Sequence, residues 1–306
     1  MLRRVLPLLS ALGIIGAIVG WFLSAPQPLA SGDLPSHTAS AENGEYIFAA
    51  AGCASCHKAK GASGDDKLLL SGGQRFETEF GTFIAPNISP DPDSGIGGWS
   101  DLQFVNAVMR GVSPGGSHYY PAFPYTSYTG AKTVDILDLK AYMDTLPKVA
   151  ARAPEHEVGF PFNIRRGLGL WKLLFFKPEP FVADASKSEI INRGAYLVNT
   201  LGHCNECHTP RNAVGGLLYD KAFAGAPNPD GKGFIPNITP HADGMMSWAE
   251  SDISYALESG FTPEFDSLGS SMGAVIENTA KLTAADRDAI AAYLKSVTPL
   301  PRTPKS

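Results

Sequence analysis

The stretch AAAGCASCHKAKG, Ala49 to Gly61, contains two cysteines and a histidine in the order C-x-x-C-H, and LGHCNECHTP, Leu201 to Pro210, repeats that order. The two motifs use all 4 cysteines of the chain. In this order the sulfurs form thioether bonds to a haem, and the histidine that follows binds the iron. The motifs therefore predict two covalently bound haem c groups. The attachment residues are Cys53, Cys56, Cys204 and Cys207, and the iron ligands are His57 and His208.

Zinc is the main alternative occupant of these motifs, because two C-x-x-C pairs are a common structural zinc site. A zinc site or a pair of disulfides would leave His57 and His208 unexplained at the same position after each cysteine pair. A dihaem enzyme that uses a cysteine as distal iron ligand is excluded, since the chain has no fifth cysteine. The adjacent histidines therefore favour haem.

The N-terminal segment, residues 1–30, has Arg3 and Arg4 before an apolar run from Val5 to about Ala25. The apolar core of a signal peptide is roughly 7–15 residues long, whereas a membrane span needs roughly 20. Neither nearby cleavage candidate has a small residue at the required position. We expect a retained transmembrane helix rather than a cleaved signal peptide. The positive-inside bias then places the rest of the chain outside the bacterial cytoplasmic membrane, facing the periplasm.

The two motifs lie in an internal repeat. Cys53 precedes Cys204 by 151 residues, and FIAPNISP at 83–90 matches FIPNITP at 234–240. The chain is therefore a duplicated domain with one haem in each copy. The predicted divisions are a membrane anchor and the start of a tether at 1–30, domain 1 at 42–147, a linker at 148–187 and domain 2 at 188–300.

Local patterns inside each copy predict helices joined by long loops. Ser100 and Ser247 each begin an S-x-x-E/Q capping box, and Gly111 and Gly260 occupy positions that end the helices that follow. The last helix of each copy has apolar residues at helical spacing. These are Ile136, Leu139, Met143 and Leu146 in the first copy, and Ile290, Tyr293, Leu294 and Val297 after Thr283 in the second.

The sixth iron ligand decides what each haem can do, because methionine opposite histidine raises the potential and closes the iron to substrates. In the second copy the candidate is Met272, within the glycine-containing stretch LGSSMGAVIENT at 268–279. Met245 and Met246 lie just before Trp248 at a predicted helix start, where packing explains them. We expect Met272 to bind the second iron.

The first copy lacks an equivalent methionine. The corresponding position, counted from the preceding glycine, is Phe123 in HYYPAFPYTSY at 118–128, and phenylalanine cannot bind iron. His118 is the histidine of this loop and is the candidate metal ligand. A five-coordinate or water-bound iron remains the alternative. Met109 and Met143 fall on predicted helices, where packing explains them.

Longer stretches carry a resemblance to a known family. NISPDPDSGIGGWSDLQFVNAVMRGVSPGGSHYYPAFPYTSYT at 87–129, NITPHADGMMSW at 237–248 and MGAVIENTAKLTAADRDAIAAYL at 272–294 resemble membrane-anchored multi-haem cytochrome c subunits of periplasmic alcohol, gluconate and aldehyde dehydrogenases. The resemblance implies an all-α fold of two tandem class I cytochrome c domains behind an N-terminal transmembrane helix. The chain has two C-x-x-C-H motifs where the family most often has three, and Phe123 stands where many members have methionine.

Two functional classes follow. In the first, the chain takes electrons from a dehydrogenase subunit and passes them to quinone, a soluble cytochrome or a terminal oxidase, with no catalytic residues of its own. In the second, it is a dihaem peroxidase with an open first haem. We favour electron transfer, because the region around Phe123 follows the dehydrogenase-cytochrome pattern. The formal net charge of −5 gives little evidence against nucleic-acid binding or for any particular substrate, and we expect no nucleic-acid partner.

The predicted linker contains the most apolar segment outside the N-terminal run, ARAPEHEVGFPFNIRRGLGLWKLLFFKPEP at 151–180. Arg165, Arg166 and Lys172 lie within it. One interpretation is a strap packed across both haem domains. The other is a contact with a partner subunit or the membrane surface, since an apolar stretch beside basic residues suits either.

Overall fold

The computed structural model describes residues 2–229, 231 and 233–304. The chain begins with helix α1 (Leu2–Leu23). Domain 1 then contains α2 (Ala41–Ala50), α3 (Cys53–His57), the strands β1 (Arg75–Thr78) and β2 (Gly81–Ile84), α4 (Asp101–Arg110), α5 (Tyr125–Tyr128) and α6 (Thr133–Met143). The linker carries α7 (Gly167–Phe175). Domain 2 contains α8 (Glu189–Tyr196), α9 (Asn205–His208), β3 (Ala226–Pro227), β4 (Phe234–Ile235), α10 (Glu250–Ser259), α11 (Ser271–Thr279) and α12 (Ala284–Ser296).

The predicted fold class needs one addition, because each domain has a short antiparallel hairpin. In domain 1, Phe76 pairs with Phe83 across β1 and β2. In domain 2, Ala226 pairs with Ile235 across β3 and β4. Strands of two to four residues are too short to show an alternating pattern in the sequence. The rest of each domain is helical, as predicted.

The helix caps follow the sequence in three of four places. Ser100 forms the predicted capping box, since its N–H donates to Gln103 Oε1 at 2.9 Å. Gly111 and Gly260 end α4 and α10 in the left-handed conformation, with φ of 56° and 79°. The capping box predicted at Ser247 is wrong. The helix begins two residues later than a Ser247 cap requires, because the carboxylate of Asp252 accepts the Ala249 N–H at 2.8 Å.

The first and last helices of each domain cross with their backbones in contact. A Cβ on Gly44 in α2 would lie 2.0 Å from the carbonyl oxygen of Asp138 in α6. A Cβ on Gly194 in α8 would lie 1.9 Å from the carbonyl oxygen of Ala289 in α12. Glycine is therefore required at both crossings, which explains why the internal repeat preserves it. The predicted apolar stripes lie beneath these crossings: Ile136, Leu139, Met143, Leu146, Ile290 and Leu294 are buried, and Tyr293 and Val297 are partly buried.

The two domains contact each other through equivalent residues. The Tyr46 hydroxyl in α2 donates to Asp286 at the start of α12. In the opposite direction, the Tyr196 hydroxyl in α8 donates to Asp135 at the start of α6, at 2.5 Å. Within domain 2, Arg193 donates two bonds to the same Asp286, at 2.7 and 2.6 Å, and so holds it in place for Tyr46. Each domain thus offers the other the same tyrosine and the same aspartate, as two subunits do across a two-fold axis.

One prediction about the N-terminal helix, that it spans a membrane, is not supported. Within the described residues, none of the helices has the length and apolar character needed to cross a membrane, so the predicted transmembrane helix is not supported. The side chains of Arg3 and Arg4, on which the predicted orientation rests, lie outside those that the structure describes. Eight apolar side chains of α1 are each at least 49% exposed: Leu12, Ile14, Ile15, Ile18, Val19, Trp21, Phe22 and Leu23.

The C-terminal end of α1 is fixed to the rest of the protein at Ser24. The His118 ring donates from Nε2 to the Ser24 carbonyl oxygen at 2.9 Å. Arg166 donates to the Ser24 hydroxyl at 2.9 Å, and its guanidinium lies 4.3 Å from the centre of the Trp21 ring. A Cβ on Gly169 would lie 2.1 Å from the Ser24 carbonyl oxygen, so α7 approaches this turn closely.

The linker helix α7 packs across both domains, as the first of the two interpretations predicts. On one side, the Lys172 ammonium donates to the carbonyl oxygens of Arg110 and Gly111 at 2.6 and 2.9 Å, where α4 ends. On the other side, the Trp171 indole donates to the carbonyl oxygen of Val214 in domain 2 at 2.9 Å. The linker is therefore a structural bridge as well as a connection.

Candidate haem sites

The first C-x-x-C-H motif forms the short helix α3. Gly52 precedes it with a φ of 63°, a left-handed turn that redirects the chain from α2 into α3 and that glycine adopts without strain. Cys53 and Cys56 lie three residues apart on the helix and form no disulfide. Before haem is attached, burial raises the pKa of the Cys53 thiol to about 12.

The second motif repeats this arrangement with a different entry. A π-helical turn, Leu197–Leu201, continues α8, and His203 then takes a left-handed φ of 39° just before Cys204. Cys204 and Cys207 also form no disulfide, and before haem is attached burial raises the pKa of the Cys204 thiol to about 12. Among the described residues, no cluster of three or more histidine, cysteine or acidic side chains could hold a metal ion. The zinc alternative thus finds no site there.

The two motif histidines have the same orientation. His57 Nδ1 lies 2.9 Å from the carbonyl oxygen of Pro86, and His208 Nδ1 lies 2.8 Å from that of Pro236. A carbonyl oxygen only accepts hydrogen bonds, so Nδ1 carries the proton in both rings and Nε2 presents its lone pair. Burial lowers the pKa of both rings and keeps them neutral. A neutral imidazole held through its other nitrogen is how a metal-binding histidine is normally oriented.

A glycine supports each histidine from behind. Gly72 N–H donates to the His57 carbonyl oxygen and Gly225 N–H to that of His208, both at 2.8 Å. Their φ values are 70° and 81°. A Cβ on Gly72 would lie 2.4 Å from the Pro86 carbonyl oxygen, the same atom that accepts from His57. The cysteine pairs, the Nε2 lone pairs of the two histidines and these close-fitting loops suit covalent haem attachment with histidine on the iron.

The two motifs lie close together across the domain interface. Before haem is attached, burial raises the pKa of the Cys56 thiol to about 11, and the charge of the Cys207 thiolate adds to the rise. Tyr128 lies between the motifs: its hydroxyl donates to the carbonyl oxygen of Ala51 at 2.9 Å, and its ring centre is 5.5 Å from that of His203. Haems attached at these cysteines would approach each other at this interface.

The predicted sixth ligand of the second haem, Met272, lies in the first turn of α11 and is partly buried. Ser270 precedes the helix with a φ of 58°, so the chain turns sharply before Met272. Thr279 fixes the other end of α11 by donating to the carbonyl oxygen of Leu257 at 2.5 Å. Iron binding by Met272 stays a prediction.

The region of the predicted sixth ligand in domain 1 is aromatic. Phe123 packs edge-on against Tyr119 and Tyr128, with ring centres 6.0 Å away in each case. His118 is buried, and its Nε2 is used by the bond to Ser24. Its Nδ1 has no hydrogen-bond partner. Iron binding by His118 stays a prediction. In this arrangement Nδ1 is the ring nitrogen that could bind iron, because Nε2 is bonded to Ser24.

Sequence reasoning missed three residues of these sites. Tyr128 and His203 join the motifs, and His156 from the linker accepts the Ile84 N–H at 3.0 Å through Nδ1. The His156 ring also packs 5.6 Å from Phe83, beside the segment that holds His57. Of these three residues, only His203 could have been found from the sequence, because it stands directly before Cys204 of the second motif. The other two contacts join residues more than 70 positions apart in the chain.

Two tandem helical domains, each with a C-x-x-C-H helix and a histidine whose Nε2 is free for iron, define a dihaem c-type cytochrome. The sequence model of the cytochrome c family matches residues 41–147 and 191–298. The chain belongs to this family and carries two covalently bound haem c groups. A relative in Cereibacter sphaeroides, named as a dihaem c-type cytochrome, is 49% identical over 298 residues, which cover 97% of this chain and 99% of that protein.

Other relatives are larger and are named as subunits of dehydrogenases. The fructose dehydrogenase cytochrome subunit of Gluconobacter japonicus is 36% identical over 89% of this chain, which covers 55% of that protein. The gluconate 2-dehydrogenase cytochrome c subunit of Pantoea cypripedii is 32% identical over 87% of this chain, which covers 61% of that protein. The chain thus spans between half and two thirds of the length of these two subunits.

Proposed function

We propose that this protein carries electrons from a periplasmic dehydrogenase subunit, through its two haems, to an acceptor of the respiratory chain. The closeness of the two attachment motifs is the observation that carries the proposal, because Tyr128 contacts Ala51 beside the first motif and His203 beside the second. The names of the relatives support a dehydrogenase as electron donor. Quinone, a soluble cytochrome and a terminal oxidase are the candidate acceptors.

The residues of the chain act by holding their groups in place. Bound haem supplies an iron that gains and loses one electron. The Pro86 and Pro236 carbonyls fix the proton on Nδ1 of each motif histidine, which leaves on Nε2 the lone pair that would bind the iron. Tyr128 and the hydrogen bonds across the domain interface keep the motifs at a fixed separation. Electron transfer needs little movement of the protein, so this rigid interface suits a carrier.

A peroxidase is not favoured, because the relatives described above are named as cytochromes or cytochrome subunits. The feature of the sequence that suggested an enzyme was the absence of a methionine at Phe123. Phe123 instead packs among tyrosines, in an aromatic cluster that does not itself require an open iron.

We predict that ethanol, fructose or gluconate reduces the haems of this protein in membranes of a cell that makes it, and that hydrogen peroxide is not turned over. The physical reason is that a carrier accepts electrons from its donor, whereas a peroxidase needs an iron open to peroxide. The measurement is the absorption of reduced haem after each substrate is added. Membranes from cells that lack the gene are the control.

Two results would contradict this prediction. One is that none of these substrates, nor other alcohols, sugars and aldehydes, reduces the haems. The other is that the purified protein contains a high-spin haem and consumes peroxide at an enzymatic rate, which would favour the peroxidase.

We further propose that the haem domains face the periplasm and that α1 is retained and holds them at the outer surface of the cytoplasmic membrane. Covalent attachment of haem c takes place on that side of the membrane. Cleavage after Ala25 or Ala30 would remove Ser24, the partner of His118 and Arg166. The exposed apolar side chains of α1 cover one broad side of the helix, and the small residues Gly13, Gly16, Ala17 and Gly20 form the other side. A helix that is apolar all round is normally covered by lipid or protein.

We therefore predict that the full chain fractionates with membranes. A chain that begins at Ala41, exported with a cleavable signal peptide, is expected in the soluble periplasmic fraction, because it lacks the apolar side chains of α1. The measurement is haem staining of both fractions after cell disruption. A mature N-terminus at Pro26 or Ser31, found by mass analysis, would instead favour the signal-peptide alternative.

A further inference from the structure

The residue before the second cysteine of the first motif, Ser55, contacts domain 2. Its hydroxyl donates to the carbonyl oxygen of Ala274 at 3.1 Å and accepts from the Asn278 side-chain amide at 2.6 Å. Ala274 and Asn278 lie in α11, the helix whose first turn carries Met272. The attachment helix of one domain is thus hydrogen-bonded to the helix that carries the predicted iron ligand of the other.

The same contact exists in the reverse direction. Glu206 is the residue of the second motif equivalent to Ser55, 151 positions later. Its carboxylate accepts from the hydroxyls of Thr126 and Ser127 at 2.7 and 3.1 Å. Both lie in α5, which follows Phe123 directly after Pro124. Two different sets of side chains make equivalent contacts, so the arrangement is a property of the interface and not of one residue pair.

An ion pair adds a further connection between α3 and α11 on the same side. Lys67, in a short 3-10 helix (Gly64–Leu68) that follows α3, has its Nζ 2.7 Å from Oε2 of Glu277, the neighbour of Asn278 in α11. A Cβ on Gly52, at the start of α3, would lie 3.6 Å from the Asn278 amide nitrogen. Helix α11 is therefore held against domain 1 at several points and cannot shift without disturbing the first motif.

We propose that Ser55 and Asn278 are positioning residues that couple the two haem sites. Through them the first attachment helix sets the position of α11, and α11 sets how firmly Met272 is held at the second iron. The inference requires the two haems and Met272 as ligand, but it does not depend on which dehydrogenase or acceptor the protein serves.

The physical reason is that methionine binds iron weakly and favours the reduced state. A helix held at fewer points spends more time with methionine away from the iron. Removing the Ser55 hydroxyl should therefore lower the midpoint potential of the second haem, although the substitution lies in domain 1. A substitution with only a local role would change the first haem, to which Ser55 is adjacent.

The test is a double-mutant cycle followed by spectroelectrochemistry of the full-length protein with both haems attached. Ser55→Ala and Asn278→Ala are each expected to lower the potential of the second haem and weaken its methionine–iron absorption band. The double variant should shift by less than the sum of the two single variants, because both remove the bond between Ser55 and Asn278, and each also removes one bond to the Ala274 carbonyl oxygen. The second haem is identified as the redox wave that Met272→Ala removes.

Two further variants serve as controls. Ser63→Ala removes an exposed hydroxyl in domain 1 and should leave both potentials unchanged. Ser55→Thr keeps the hydroxyl and should restore the original potential. The proposal is overturned if Ser55→Ala moves only the first haem or neither, or if the shifts of the two single variants add. Reduction by dehydrogenase substrates would still proceed in that case, so failure here is distinct from failure of the proposed function.

Discussion

Replacing Cys204 and Cys207 together by alanine is expected to remove one of the two haems and to leave the other attached. Each motif lies within its own domain and has its own histidine and supporting glycine, so attachment should occur locally. The expected loss is half of the covalent haem. It is measured as the mass of the intact purified protein and as the haem absorption per polypeptide.

The matched variant replaces Cys53 and Cys56 by alanine and should remove the other haem. If either double variant loses both haems, attachment in one domain depends on the other, and the two domains do not bind haem independently. A single haem on the unmutated protein would contradict the assignment of both motifs.

Replacing Met272 by alanine is expected to lower the potential of the second haem by a large part of the range that axial ligands span, roughly 0.8 V across haem proteins. Alanine has no atom that binds iron, so the reduced state loses the ligand that stabilises it. The measurement is a redox titration in which the higher of the two waves disappears and a lower one replaces it.

Met246→Ala is the matched control, because Met246 is also in domain 2 but is 57% exposed. This variant should leave both waves in place. If Met272→Ala left the higher wave unchanged, Met272 would not be a ligand, and the coupling through α11 would lose its basis.

Features that depend on neighbouring residues could be predicted from the sequence. The C-x-x-C-H motifs, the internal repeat, the capping box at Ser100 and the helix ends at Gly111 and Gly260 are all encoded within a few positions. The prediction at Ser247 failed because Asp252 offers a competing acceptor in the same turn. Local patterns predict where a helix forms more reliably than they predict its first residue.

Features that depend on distant residues could not be predicted. The bond from His118 to Ser24 joins residues 94 positions apart, and the contact between Asn278 and Ser55 joins residues 223 apart. In the sequence, His118 is a histidine in a loop near an expected iron position. In the structure its Nε2 fixes the end of α1. The sequence alone does not distinguish a histidine that is hydrogen-bonded to the protein from one that binds a ligand.

The exchange of tyrosine and aspartate between the domains has a consequence for larger assemblies. Tyr46 donates to Asp286 and Tyr196 donates to Asp135, so each domain contributes both its tyrosine and its aspartate to the contact with the other. Such an arrangement is closed, whereas a head-to-tail contact would leave one tyrosine and one aspartate free at the two ends of the pair. A third copy of this domain could not extend the array through these residues. Any additional haem domain would have to dock on another surface. Different contacts would then set the distance that an electron travels between its haem and the first two.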